Sequence, residues 1–244
     1  MPDIRALLLD VEGTTTPLDF VTRVLFPDAR AHVRDFLGRR AGETPVQADL
    51  ALLRSEHEAD ARGGQSPPPW PDGPGQARLE GAVAYVHWLM DRDRKSTGLK
   101  SLQGKVWEEG YRAGRLRGQV YADVPRAFAR WRAHGRDVAI FSSGSVLAQK
   151  LIFSRSDAGD LSAGIRAYFD TTTGPKREPE SYCRIAAARG RAPTEWLFLS
   201  DVGEELDAAR AAGMQTALVV RPGAPEPGAA SHPLVRSFDE LPPV

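Results

Sequence analysis

The chain has 244 residues, with 32 basic and 32 acidic side chains. This length suits one large domain, or a core with a smaller second domain, and the balanced charge argues against a nucleic acid or an anionic membrane as partner. Its one cysteine, Cys183, excludes an intrachain disulfide and fits a reducing cytoplasm. No apolar run approaches the roughly 18 residues that a membrane-spanning helix needs.

Near the start of the chain, a short apolar run at residues 6–9 ends on Asp10, and Glu12, Gly13 and three threonines follow. Such a run is too short for a helix pattern and is typical of a strand buried on both faces of a parallel sheet. Ligands of these sheets bind beyond the carboxyl ends of the strands, where Asp10 falls. A carboxylate there is a nucleophile, a Mg²⁺ ligand or a structural hydrogen-bond acceptor.

The next hundred residues show helical spacing and loops, with no strand pattern. Pro27 marks a new helix start, and the stretch 63–75, crowded with Pro and Gly, predicts an exposed loop. Residues 92–100 predict a basic loop. The predicted division is an all-helical insert over 17–115, with 1–16 and 116–244 forming the core.

The second half of the chain returns to short apolar runs that alternate with helical ones. Four more strands are predicted, at 138–141, 168–170, 196–201 and 216–220. Together with the first strand, they predict an α/β fold with a doubly wound parallel sheet, because strands joined by helical crossovers pair in parallel.

Four of the five predicted strands end in side chains that can do chemistry: Asp10 with Glu12, Ser142 with Ser143, Asp170 near Lys176, and Asp201 with Glu204 and Glu205. Each one alone is also what a helix N-cap or a solvated loop charge would give. Together they supply a phosphoryl-transfer site. Asp10 is able to form an aspartyl phosphate, and Asp10 and Asp201 are hard oxygen ligands for Mg²⁺. Ser142 and Ser143 offer an anion seat at a helix start, and Lys176 offers a point charge for phosphoryl oxygens.

The order Asp-x-Glu-Gly-Thr-Thr, Ser-Ser-Gly-Ser, Lys and Ser-Asp resembles the four motifs of the haloacid dehalogenase superfamily. Longer segments resemble one family within it, acireductone synthase, the enolase-phosphatase of methionine salvage. The resembling segments lie within 10–27, 99–111, 141–150, 176–182 and 198–209. The similarity covers most of the chain, and these motifs are specific to the family.

This resemblance implies a hydrolase of 2,3-diketo-5-methylthiopentyl 1-phosphate, which enolises the diketone and then removes its phosphate. It implies one Mg²⁺ per subunit, held by Asp10, the backbone carbonyl of Glu12, and Asp201. The implied catalytic residues are Asp10, Glu12 and Lys176. The positions that match substrate-binding residues are Ser142, Ser143 and Lys176.

Glu12 stands where most of the superfamily has Asp, and its side chain is one methylene longer. We hypothesise that this longer reach serves proton transfer at carbon during the enolisation as well. In the helical insert, Lys95 and Lys100 lie in the predicted basic loop of a chain that has only five lysines. We assign Lys100 to substrate binding, with a solvated charged face as the alternative reading of both lysines.

Two rival functions share parts of this pattern. Another magnesium phosphatase or dehalogenase of the same superfamily is disfavoured by Glu12 and by the run at 100–104. A receiver-like signalling module, which holds an aspartyl phosphate, is disfavoured by the long helical insert, since such modules lack a cap there. We expect a cytoplasmic protein, in keeping with its single cysteine. We expect a monomer, because no exposed apolar helix stripe is left after the core and the cap are packed.

Overall fold

The computed structural model describes residues 4–73, 75–94, 96–226 and 231–241. The chain divides into two compact units: Met1–Val21 with Arg117–Val244, and Thr22–Leu116. We call the first the α/β unit and the second the helical unit. The division falls inside a continuous helical stretch, in which a single α-turn, Leu18–Phe20, is followed by a π-helix, Val21–Leu25.

The α/β unit is built on a six-stranded sheet in which each pair of neighbouring strands is parallel. The strands are β1 (Ala6–Leu9), β2 (Asp137–Phe141), β3 (Ala167–Phe169), β4 (Trp196–Ser200), β5 (Gln215–Val219) and β6 (Leu234–Val235). Their order across the sheet is β3-β2-β1-β4-β5-β6. The predicted doubly wound parallel sheet is confirmed. The prediction of five strands is wrong by one, because β6 has two residues and lies after a proline-rich segment, where no apolar run marks it.

Helices pack on both faces of this sheet. These helices belong to the α/β unit and are numbered after the four helices of the helical unit: α5 (Asp123–Ala133), α6 (Val146–Ser154), α7 (Pro179–Ala188) and α8 (Gly203–Ala211). On one face, Tyr182 of α7 and Leu206 of α8 join a buried cluster with Leu8 and Phe198. Three short 3₁₀ turns complete the unit, at Ser162–Gly164, Pro193–Glu195 and Phe238–Glu240.

Strand register sets which residues reach the carboxyl edge of the sheet. Leu9 pairs with Ile140 of β2 and with Leu199 of β4. The next residue, Asp10, therefore lies at the level where both neighbouring strands end, and its backbone N–H donates to the Leu199 carbonyl at 3.0 Å. Side chains that follow β1, β2 and β4 converge at this edge for that reason.

The helical unit contains α1 (Phe26–Arg40), α2 (Thr44–Arg62), α3 (Gln76–Asp91) and α4 (Thr97–Arg112). Pro27 lies in the first turn of α1, directly after the π-helix, and it cannot donate a backbone hydrogen bond to that preceding turn. The indole N–H of Trp107 in α4 donates to the Leu25 carbonyl at 2.7 Å, which fixes α4 against the chain before α1. Among the described residues, no helix is both long enough and apolar enough to cross a bilayer.

The predicted basic loop at 92–100 is too long. Helix α4 begins at Thr97, and the Ser96 side chain caps it by accepting the Leu99 N–H at 2.9 Å. Lys100 therefore lies in the first turns of a helix, and Lys95 lies outside the described residues. The sequence Ser-Thr-Gly was interpreted as loop because its capping role depends on the helix that follows.

The proline-rich stretch at 63–75 is a loop, as predicted, but it is anchored. Trp70 is buried, and its ring lies against His57 and Tyr85. The His57 ring also makes a 2.8 Å hydrogen bond with the Pro68 carbonyl. Gly81 permits this packing, since a Cβ there would fall 2.8 Å from Trp70. The loop is thus exposed along most of its length and held at one aromatic residue.

Candidate active site

The turn that follows β1 brings several backbone groups to a single point. The N–H groups of Thr14, Thr15 and Thr16 all donate to the Val11 carbonyl, at 3.2, 3.0 and 2.9 Å. Gly13 has φ +76°, in the left-handed region that favours glycine. A Cβ at Gly13 would lie 2.2 Å from Oδ2 of Asp201. The turn therefore requires glycine both for its backbone and for the close approach of the β4 end.

Asp10 is buried at this edge, and both of its carboxylate oxygens lie within hydrogen-bond distance of a donor group. Its Oδ1 accepts the Val11 N–H at 2.7 Å and lies 2.6 Å from Nζ of Lys176. Its Oδ2 lies 3.1 Å from the Ser200 hydroxyl, within hydrogen-bond distance. Asp10 is thus held by a backbone N–H and an ammonium, with a hydroxyl within hydrogen-bond distance.

Lys176 bridges two acids. Its Nζ lies 2.6 Å from Asp10 and 2.6 Å from Oε2 of Glu205, and its side chain is 8% exposed. Burial acts to lower the pKa of Lys176, but the charges of Asp10 and Glu205 outweigh it, so the pKa is raised. The Tyr182 hydroxyl donates to the Lys176 carbonyl at 2.6 Å and fixes the loop that carries the lysine. Lys176 is thus held as a charged ammonium.

Glu205 lies on the first turn of α8 and faces the site. Burial, followed by the charge of Asp10, raises its pKa to about 7. The Ser200 hydroxyl is 3.1 Å from Glu205 and equally far from Asp10. Because a hydroxyl has a single hydrogen, Ser200 donates to one of the two acids at a time.

Glu12 points toward the end of β2. The Ser142 hydroxyl lies 3.0 and 3.2 Å from the two oxygens of the Glu12 carboxylate and donates to it. Ser142 in turn accepts the Gly144 N–H at 2.8 Å. Burial, followed by the charge of Asp10, raises the pKa of Glu12. The first and second motifs are therefore joined by a direct hydrogen bond.

Asp201 closes the arrangement from the β4 side. Its backbone N–H donates to the Thr14 hydroxyl at 3.0 Å, and the Thr14 hydroxyl lies 3.3 Å from its Oδ1. Asp201 is solvent-exposed, but desolvation by the surrounding protein, followed by the charge of Asp10, raises its pKa to about 6. Negative charge at this edge is thus only partly balanced by Lys176.

Comparisons with known proteins agree with this geometry. Residues 4–213 match the model of the haloacid dehalogenase-like hydrolases. The chain is 54% identical over 238 residues to the enolase-phosphatase E1 of Synechococcus elongatus, covering 98% of each chain. It is 48% identical to the enolase-phosphatase E1 of Pseudomonas aeruginosa, again covering 98% of each.

The chain belongs to the enolase-phosphatase E1 family of haloacid dehalogenase-like hydrolases. It is therefore a hydrolase, and the resemblance stated from its motifs is confirmed.

Solved structures share this fold. The UTR4 protein of Saccharomyces cerevisiae superposes with a TM-score of 0.79 at 34% identity, covering 98% of this chain and 100% of that one. An L-2-haloacid dehalogenase from Xanthobacter autotrophicus superposes with a TM-score of 0.51 at 19% identity, covering 96% and 95%. At that identity the dehalogenase shares the fold alone.

The predicted site residues fall into three groups. Asp10, Glu12, Ser142, Lys176 and Asp201 meet at the carboxyl edge of the sheet. Ser143 is exposed beside them. Lys100 lies on α4, in the helical unit, whereas the other predicted site residues lie in the α/β unit.

Asp170 has a structural role instead of a place in this site. Its Oδ1 accepts the Thr172 N–H at 2.9 Å, and its Oδ2 accepts the N–H of Val146, the first residue of α6, at 3.3 Å. It therefore caps a turn and a helix start. This is the alternative that a single strand-end carboxylate always leaves open.

Sequence reasoning missed three functional neighbours. Glu205 was noted with Glu204 but given no role, and Thr14 and Ser200 were not singled out. The signal for Glu205 was its position four residues after Asp201, which puts the two acids near each other only once a helix is known to start between them. Thr14 and Ser200 carried no signal beyond adjacency to the acids.

The donor set fits a magnesium ion. Two carboxylates, of Asp10 and Asp201, and the backbone carbonyl of Glu12 are hard oxygens, and Mg²⁺ binds proteins through one or two carboxylates plus phosphate and water oxygens. Desolvation, followed by the negative charge of Asp10, raises the pKa of both Glu12 and Asp201, and a divalent cation would offset that charge. Within the described residues no cluster of three or more His, Cys, Asp or Glu side chains is arranged around one metal position. Such a cluster is a feature of all-protein metal cages, which Mg²⁺ does not use.

Proposed function

We propose that the chain hydrolyses 2,3-diketo-5-methylthiopentyl 1-phosphate to acireductone and phosphate in methionine salvage, with Asp10 as nucleophile. Family membership makes it an enolase-phosphatase; the substrate, the residue roles and the metal are our proposal. The observation that carries the proposal is the buried pairing of Asp10 with Lys176 at 2.6 Å. A carboxyl group held beside an ammonium, at the edge where substrates of this fold bind, supports a nucleophile at this position.

The first half-reaction is an enolisation, in which a proton leaves the carbon next to the carbonyl and the carbonyl oxygen gains one. Glu12 is our candidate for one of these transfers. Its carboxylate accepts from Ser142 at 3.0 Å, and burial, followed by the charge of Asp10, raises its pKa, which favours the proton-bearing form that a general acid needs. Full retention of enolisation by the Glu12→Gln variant would refute this role.

The second half-reaction transfers the phosphoryl group. An Asp10 oxygen forms a bond to phosphorus while the bond from phosphorus to the substrate oxygen breaks, and Glu12 gives a proton to that leaving oxygen. Water then attacks the aspartyl phosphate, Glu12 takes the proton from the water, and phosphate leaves with Asp10 restored. Lys176 stabilises the charge on the phosphoryl oxygens throughout.

Asp10, Asp201 and the Glu12 carbonyl would hold one Mg²⁺ per subunit. When bound, the ion neutralises charge on the phosphoryl oxygens. Ser142 and Ser143 lie before the start of α6, and we assign them to substrate binding, as anion contacts at a helix N-terminus. Ser143 is free to do this by its exposure, whereas Ser142 would act while bonded to Glu12.

We infer that the helical insert acts as a cap that excludes water from the reaction, since it is inserted in the sequence shortly after β1 and Asp10. A role for Lys100 in substrate binding is part of this inference. The monomeric state and the cytoplasmic location stay predictions.

The test is to mix the protein with Mg²⁺ and a 2,3-diketo-1-phosphoalkane while following enediol absorbance and phosphate release together. Both signals are expected, and the Asp10→Asn variant is expected to release no phosphate. Enediol phosphate without free phosphate would overturn the hydrolytic half alone. Turnover of other phosphomonoesters without either signal would favour a general phosphatase of the superfamily.

A further inference from the structure

A buried arginine outside the known motifs reaches the turn after β1. Arg221 follows β5 and is 5% exposed. Its Nε donates to the Thr14 carbonyl at 2.8 Å, and its Nη1 donates to Oδ2 of Asp123 at 2.6 Å. Arg221 thus joins the catalytic turn to the start of α5.

The surroundings of Arg221 hold it in one orientation. Its guanidinium carbon lies 4.3 Å from the ring centre of Tyr121 and 4.6 Å from that of Phe238. The Asp123 oxygen that it contacts also accepts the Phe238 N–H at 2.6 Å. A planar guanidinium suits this position, because it stacks between rings and donates in two fixed directions at once.

The turn is held from outside at two successive carbonyls. Arg221 binds the Thr14 carbonyl, and the Tyr121 N–H donates to the Thr15 carbonyl at 3.0 Å. On its other side, the Thr14 hydroxyl accepts the Asp201 N–H at 3.0 Å. Thr14 therefore transmits the position of the buried guanidinium to the residue proposed to bind the metal.

We propose that Arg221 is a positioning residue for the magnesium site: it fixes Thr14, and Thr14 fixes Asp201. This inference rests on the proposed function, since it concerns the same metal ligands. Groups that orient metal ligands from behind alter metal affinity by about 10- to 100-fold when they are removed. We expect loss of the Arg221 contact to weaken Mg²⁺ binding by about tenfold.

The test compares Arg221→Gln with a matched control, Arg130→Gln. Arg130 also ties the C-terminal segment to α5, with Nη2 donating to the Phe238 carbonyl at 2.5 Å, but the contacts described for it do not include the turn. Mg²⁺ affinity is measured by titration calorimetry without substrate. Hydrogen exchange of the peptide over residues 11–16 is measured in the metal-free protein.

The expected result is weaker Mg²⁺ binding and faster exchange in Arg221→Gln, with both properties unchanged in Arg130→Gln. Equal effects in the two variants, or none in either, would overturn the inference. Arg221→Gln leaves Asp123 buried without a cation, which is strongly destabilising. If it does not fold, the double variant D123N/R221M removes both charges together, and Arg130→Gln stays its control.

The same data separate this inference from the proposed function. Failure of the unsubstituted protein to bind Mg²⁺ would overturn the proposed metal site, and the exchange comparison alone would then decide whether Arg221 fixes the turn. Normal Mg²⁺ binding in both the unsubstituted protein and Arg221→Gln would overturn the inference and leave the proposed function intact.

Discussion

Lys176 lies as close to Glu205 as to Asp10, at 2.6 Å from each. The two acids come from different motifs, one after β1 and one on α8, and the lysine comes from a third. The position of the ammonium is therefore fixed from two directions, because moving toward one carboxylate would lengthen its contact with the other. Glu205 thus orients a residue that we propose to contact the phosphoryl group.

Replacing Glu205 by Gln is expected to lower kcat by about 10- to 100-fold. The amide keeps the shape but removes the charge that holds Lys176, and a hydrogen bond to a charged group is worth about 1.5–3 kcal/mol. Steady-state phosphate release measures the effect.

The matched control for this variant is the adjacent residue, Glu204→Gln. Glu204 pairs with Arg177 at 2.8 Å, and both side chains are more than half exposed. Such surface pairs contribute little, so activity close to that of the unsubstituted protein is expected. Equal losses in the two variants would show that net charge, and not the Lys176 contact, is responsible.

Replacing Lys176 by Met is expected to lower kcat by about 10²- to 10³-fold, the size of loss measured when one preorganised donor to a developing charge is removed. Lys150→Met is the control, since Lys150 is exposed and lies 5.8 Å from the centre of the Tyr168 ring. A loss confined to KM would contradict the proposed action of Lys176 on the transferring phosphoryl group.

Gly13→Ala is expected to abolish Mg²⁺-dependent activity, because the new Cβ would meet the Asp201 carboxylate at 2.2 Å. Gly135→Ala separates this clash from backbone strain. Gly135 has φ +68°, close to the +76° of Gly13, but nothing lies within 4 Å of a Cβ there. Gly135→Ala should therefore cost about 1 kcal/mol or somewhat more of unfolding free energy and keep its activity. Thermal unfolding and phosphate release, measured on both variants, check this; an active Gly13→Ala enzyme would contradict it.

The strand ends were predictable because each follows a continuous apolar run, and parallel strands bring their carboxyl ends to one edge. That reasoning located Asp10, Ser142 and Asp201 without any knowledge of side-chain contacts. It could not separate Glu205 from Glu204, because the face of α8 that turns toward the site depends on where the helix starts and how it packs.

Long-range contacts left even less trace in the sequence. Arg221 meets Thr14 across 207 positions of the chain, and no local pattern marks a buried arginine in a chain that uses arginine for most of its positive charge. The Pro and Gly residues around Trp70 predict an exposed loop. Its burial instead depends on Gly81 of α3, which has no Cβ to obstruct the indole ring. Local sequence propensity depends only on nearby residues, whereas these contacts depend on residues that are distant in the sequence.

Mg²⁺ affinity is expected to fall as the pH drops below about 6. In the metal-free protein, desolvation and the charge of Asp10 raise the pKa of Asp201 to about 6. Below that pH the carboxyl group is protonated, and Mg²⁺ must displace the proton in order to bind. The apparent Kd should therefore rise by about tenfold for each pH unit below 6 and stay level above it.

Titration calorimetry at pH 5, 6 and 7.5 measures this dependence, and buffers of different ionisation enthalpy would also count the protons released. A flat Kd across this range would show that Asp201 is already ionised or does not bind the metal. Loss of the pH dependence in Asp201→Asn, together with weak Mg²⁺ binding at every pH, would assign the titration to this residue.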